Sequence, residues 1–162
     1  MSTSTKTNEG WRPGARQFVL FPLGCKRFAL PAEIVTELAR PDMLQTFPHT
    51  TRLLTGVLVR RGHIVPVCDV AQVLVGLDAP PRKFYLIATR YFDGGRHTEW
   101  TALPVTGECE LTTAEVLPPT GRLPEYVVGL LSMKDEIVEL VDLEKLIAAD
   151  VASAKAFVEV AR

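Results

Sequence analysis

At 162 residues, with 47% hydrophobic and 23% charged side chains, the chain can build one domain or two small subdomains around a core needing no metal or disulfide staple. Its 18 basic and 19 acidic residues leave a net charge of −1. That balance excludes a broad cationic face for nucleic acid and gives no attraction to an anionic membrane.

Residues 1–16 read as a polar, disordered tail without the apolar stretch of a signal peptide. No apolar run is long enough to span a bilayer, so a cytoplasmic protein with no direct membrane insertion is expected. Phe18 to Pro31 holds two apolar runs around Gly24-Cys25-Lys26-Arg27, which predicts a hairpin. Ala32 to Arg40 allows a short helical turn or an irregular strand, and periodicity does not choose between them. Leu53 to Val70 has β-branched residues on both sides of Arg61-Gly62, a second hairpin signal. Asp69 then stands where it would cap a short helix over Ala71 to Leu77. Ala79-Pro80-Pro81 is a breaker and marks a subdomain boundary. Phe84 to Arg90 and Glu99 to Val105 are strands about an Asp93-Gly94-Gly95 turn, and Leu117 to Pro124 is loop. Val127 to Leu143 alternates like a strand pair. From Leu143 to Ala161 the apolar spacing becomes helical, so the chain should end in a helix that includes 151–162.

The three cysteines, Cys25, Cys68 and Cys109, are too widely spaced for a disulfide framework or a CxxC pair. They read as small apolar fillers in a reducing compartment. His49, His63 and His97 stand alone, without metal-ligand partners. There is no nucleophile elbow, phosphate loop or dinucleotide fingerprint. Glu108 and Glu110 share one strand face and read as a solvated edge. No enzyme activity and no cofactor are expected.

The most informative feature is a duplication. Gly56 to Leu74 (GVLVRRGHIVPVCDVAQVL) aligns with Gly129 to Ile147 (GLLSMKDEIVELVDLEKLI) at an offset of 73. Gly56 falls on Gly129, Leu58 on Leu131, Ile64-Val65 on Ile137-Val138 and Asp69 on Asp142. The same offset places Ala29-Leu30-Pro31 on Ala102-Leu103-Pro104. Gly62 and Asp135 would occupy equivalent hairpin tips, where a left-handed backbone is expected. Pro31, Pro66, Asp69 and Asp142 read as backbone-shaping residues. Two copies of one small β unit predict a mainly β fold with closed edges, and a groove where the copies meet.

The segment Ala29-Leu30-Pro31 followed by Ile34 to Glu37, and the run Gly56 to Asp69, resemble the CheW-like domain. Tyr126-Val127-Val128-Gly129 and Val138 to Leu143 match it again in the second copy. The resemblance runs from about Phe18 to Asp150. It implies two SH3-like five-stranded β-barrels in tandem, with short helices. The domain would fill 17–150, its subdomains about 17–82 and 83–150. It also implies a non-catalytic adaptor between the cytoplasmic tip of a chemoreceptor and the regulatory domain of a CheA-type histidine kinase, working in an array or ring. Receptor contact is implied for Ile34, Val35, Glu37, Gly56, Val57, Leu58 and Arg61. The kinase-binding residues are not implied. The pattern departs from the family at Val59-Arg60, where Asn-Leu is usual, and at Ser132-Met133 in the second copy. An accessory member of a pilus-type or other sensory pathway fits these departures. From another class, a small-barrel ligand-binding module shares the fold signal. For Arg61 a solvated turn charge is the competing reading, supported by Lys134 at the equivalent place. For Ile34 and Val35 the competing reading is core packing.

Overall fold

A computed structural model describes residues 16–40, 44–46, 54–76 and 81–148. The expected tail over 1–16, apart from Arg16, which already belongs to a strand, most of the Ala79-Pro80-Pro81 breaker and the terminal helix over 151–162 lie outside the described residues.

The strands are β1 (Arg16–Leu23), β2 (Lys26–Pro31), β3 (Val35–Ala39), β4 (Leu44–Thr46), β5 (Leu54–Arg60) and β6 (His63–Cys68). They continue as β7 (Phe84–Phe92), β8 (His97–Val105), β9 (Glu110–Ala114), β10 (Val116–Leu117), β11 (Val127–Ser132) and β12 (Ile137–Val141). The expected hairpins form at Gly24-Cys25, at Arg61-Gly62 and around Asp93–Gly95. The ambiguous segment after Pro31 is both of its readings in turn, a single 3-10 turn over Ala32–Ile34 and then β3.

Among the described residues the strands make two curled, barrel-like sheets, each of six strands rather than the expected five. One has the order β10-β11-β12-β2-β1-β9, the other β3-β7-β8-β6-β5-β4. The sheets do not divide the chain near residue 83. The first hairpin joins the C-terminal strands, while β7 and β8 join β3 to β6. The reason lies in two parallel contacts. β6 meets β8 at Val67–Ala102, and β12 meets β2 at Leu140–Ala29. These are one contact seen twice at the repeat offset, with the copies exchanged. A repeat shows which strands are alike; it does not show whose edge each one completes.

The duplication holds down to its irregularities. A bulge interrupts the ladder between Leu54 and Gly56, and another between Val127 and Gly129. The inward positions Leu58 and Leu131, and Val65 and Val138, are all fully buried. Each sheet encloses a small core of its own, one around Leu58, Val67 and Ile87, the other around Leu20, Leu131 and Leu140. The largest core lies between the sheets, where Phe21, Phe28 and Leu30 meet Leu86, Ala88 and Leu103. There the ladder pair Phe21–Phe28 of one sheet is matched in the other by the small pair Ala88–Thr101. Large against small lets facing layers interdigitate. Thr101 is fully buried, and its hydroxyl has no hydrogen-bond partner among the described residues.

The two aspartates of the repeat behave differently. Asp142 accepts a hydrogen bond from the backbone N–H of Lys145 at 3.0 Å and caps the helix over 143–148. Asp69 does not cap the turn Ala71–Leu74, which has no side-chain cap. Its carboxylate instead takes the Arg82 guanidinium at 2.7 Å, drawn away from the backbone by a charged partner. The hairpin tips differ too. Arg61 and Gly62 have φ of 51° and 78°, the pattern of a type I′ turn, whereas Asp135 keeps a negative φ. The cysteines also divide. Cys68 is buried, and Cys109 is half-buried with its thiol pushed up to about 11 by desolvation. Cys25 is exposed at a turn, so it is not an apolar filler.

Candidate functional site

The exchange of strands leaves a groove on one side of the molecule, with walls from both sheets. Its volume is about 250 Å³. Pro31 ends β2 and turns the chain, and the following 3-10 turn delivers Ile34 to the groove. Val128 of β11 and Leu143 at the helix start complete the apolar lining, while Arg16, Asp142 and Glu144 stand among them. Ile34 also packs against the central core, so its two competing readings are both realised. Val35 is half-buried against that core and does not line the groove.

Three residues beyond Ile34, Glu37 faces the second hairpin. Arg60 reaches it with Nε at 3.2 Å and Nη2 at 2.7 Å, a two-pronged contact from β5 to β3. These strands are far apart in the sheet order, so the contact is made by the sheet's curl. Hydrogen bonding from Arg60 holds the Glu37 carboxyl below its ordinary value of 4.5, with the Arg60 and Arg61 charges adding to the effect. A lowered value stabilises the fold above pH 4.5, and that contribution is lost as pH falls through the lowered value. Arg60→Ala is therefore expected to cost about 1 kcal/mol at pH 7. The deficit relative to wild type should shrink in urea titrations run at progressively lower pH.

Arg61 sits exposed at the hairpin tip, one residue from this ion pair. Gly56 is buried at its bulge, and Val57 is half-buried. Leu58 points inward and is fully buried, so it offers no surface to a partner. The period of two in β5 dictates this, since Leu58 must face opposite to Val57 and Val59. The residues expected at one site therefore fall into a groove position (Ile34), a charged pair near the hairpin tip (Glu37, Arg61), an outward strand position on the face of Val59 and Ile64 (Val57) and structural positions (Val35, Gly56, Leu58).

Sequence reasoning missed Arg60, which the family pattern presents only as a departure. It also missed Tyr91, Val128 and Glu144, which come from segments distant in sequence. Two exposed isoleucines were within its reach. Ile64 and Ile137 are 72% and 58% exposed at the same repeat position. Both lie on strands whose next residue is buried, so alternation alone turns them outward. Val59, the ladder partner of Ile64, is also exposed. Beside Ile64 the His63 and Trp100 rings are 5.1 Å apart. At the repeat offset, this contact becomes the ion pair between Glu136 and Arg27, which Glu110 joins at 2.7 Å. The two hairpin faces thus have the same backbone and different chemistry, one aromatic and one ionic.

Among the described residues there is no cluster of His, Cys, Asp and Glu able to hold a metal. No helix among them is long and apolar enough to cross a membrane.

Comparison with known proteins agrees with this geometry. The family model "CheW-like domain" matches residues 17–151. The chain is 27% identical to protein FrzA of Myxococcus xanthus over 82% of this chain and 85% of that protein. It is 25% identical to the chemotaxis protein CheW of Klebsiella aerogenes over 83% of each. The crystal structure of scaffolding protein TtCheW from Thermoanaerobacter tengcongensis superposes with a TM-score of 0.68 at 20% identity. That likeness covers 84% of this chain and 90% of TtCheW, and it concerns the fold. With two exchanged β units and a family match across nearly the whole described region, the chain belongs to the CheW-like family of non-enzymatic chemotaxis scaffolds.

Proposed function

We propose that this protein is an adaptor that couples the cytoplasmic tip of a chemoreceptor to the regulatory domain of a CheA-type histidine kinase within a receptor-associated array. The observation that carries the receptor side is the groove between the sheets, apolar at Pro31, Ile34, Val128 and Leu143 and charged among them. A receptor tip is a helical hairpin, and such a surface suits helix-in-groove recognition. Glu37 and Arg61 extend the receptor side toward the hairpin, with the Glu37–Arg60 clasp fixing its edge. The outward faces at Ile64 and Ile137 are left for the kinase. Two separate faces allow one molecule to hold several partners, and weak contacts then gain strength through multivalency.

The experiment is a capture assay with a purified receptor-tip hairpin and a CheA regulatory domain. Ile34→Asp is expected to reduce receptor-tip capture at least tenfold and leave kinase capture intact. Ile64→Asp should do the reverse. A folded wild-type protein that captures neither partner overturns the adaptor reading. Kinase capture without receptor capture makes the protein a kinase-side scaffold and removes the groove assignment.

A further inference from the structure

The β7–β8 hairpin is longer than its counterpart in the other sheet, and its added part begins at the groove. The two hairpins align on the rungs Leu20–Ala29 and Ile87–Ala102. On that alignment β1 and β2 stop pairing at Leu23–Lys26, which corresponds to Arg90–Glu99. The longer hairpin continues through Tyr91–Thr98 and Phe92–His97 before turning at Asp93–Gly95. Arg90, on the last shared rung, donates from Nε and Nη2 to the two carboxylate oxygens of Glu144 at 3.1 and 3.2 Å. Glu144 belongs to the helix that follows β12, so this clasp ties the base of the extension to the other sheet.

Tyr91 is the first residue beyond the clasp. It is 50% exposed, belongs to none of the three cores, and lines the groove together with Ile34 and Val128. The sister hairpin folds without such a residue, so the fold itself does not require one. A tyrosine on an anchored strand presents a large apolar face and a polar tip at low entropic cost. Its position at the mouth of a helix-binding groove is that of a selector.

Resting on the receptor reading above, we propose that Tyr91 is a specificity-determining residue of this groove. Its ring packs on an apolar side chain of the docked helix and discriminates among receptor tips that differ there. The Arg90–Glu144 clasp holds the ring in place.

The test uses purified tip hairpins of several chemoreceptors from one organism, each fused to a trimeric coiled coil, with affinities measured against the full chain. Wild type is expected to rank the tips. Tyr91→Ala should weaken the preferred tip about tenfold and bring the others within about threefold of it. Tyr91→Phe should keep the ranking. If Tyr91→Ala leaves the ranking unchanged while Ile34→Asp still abolishes binding, the selector role is overturned and the receptor reading stands. Equal wild-type affinity for all tips also overturns the selector role. Failure of wild type to bind any tip overturns the receptor reading, and the selector with it.

Discussion

Phe28→Ala is expected to destabilise the whole protein by about 3–5 kcal/mol, the usual cost of emptying a buried aromatic site. Phe28 is fully buried, its ring 6.0 Å from that of Phe21, and both belong to the core between the sheets. A domain this small has a total stability of about 5–15 kcal/mol, so the loss takes a large share. The sharper expectation concerns cooperativity. Phe28 lies in one sheet and Trp100 in the other. In a Trp11→Phe background, urea unfolding followed by Trp100 fluorescence should shift to the same lower midpoint as the far-UV signal. Two independently folding halves would leave the Trp100 midpoint where it was. The shared core and the exchanged strands both predict that it moves.

Gly129→Ala should cost about 1–3 kcal/mol, although it adds only a methyl group. A Cβ there would lie 2.5 Å from Val116 Cγ1, with the Leu117 carbonyl oxygen and Leu140 Cδ2 each at 3.4 Å. Val116 is β-branched and stiff, so it yields only by moving its strand. That strand, β10, has two residues and is held by two ladder positions. The substitution is therefore expected to displace β10 and bare the edge of β11. A double-mutant cycle with Val116→Ala checks this. A coupling energy near zero would show that the clash is relieved elsewhere.

These two positions also show what the sequence disclosed and what it withheld. Gly129 was legible as the repeat partner of Gly56, and in the structure alternation about both glycines buries Leu58 and Leu131. It also disqualifies Leu58 as a contact residue, a conclusion the family resemblance obscured. The capping role of Asp142 was legible, but the same role expected of Asp69 is not realised, because Arg82 takes its carboxylate. Sheet membership was hidden for a general reason. Both copies carry the same Ala-Leu-Pro strand and the same hairpin, so intrachain pairing within a copy and exchange between copies have identical local signatures. Only tertiary closure distinguishes them. The groove inherits that difficulty. Its walls meet through the exchange, so of Ile34, Val35 and Glu37, which the family resemblance carried to a groove, only Ile34 lines this one. Arg60 was hidden because the curl of the sheet, and no pattern along the chain, brings it to Glu37.

The exchanged pairing also bears on how the chain is made. When β2 leaves the ribosome its partner edge has not yet been synthesised, since β12 lies near the end of the described chain. At about 10 residues per second, this strand waits on the order of ten seconds with one edge unpaired. A bare edge is a template for wrong pairing, and a chain with two nearly identical hairpins offers itself one. The β5–β6 hairpin emerges well before its own partner β8 and is the obvious intruder. Its Pro66, set at the middle of β6, lacks the N–H that a ladder needs. The second copy has Glu139 at that position, paired with Phe28 of β2. The proline thus disfavours the premature partner and leaves the edge of β2 for the strand made last.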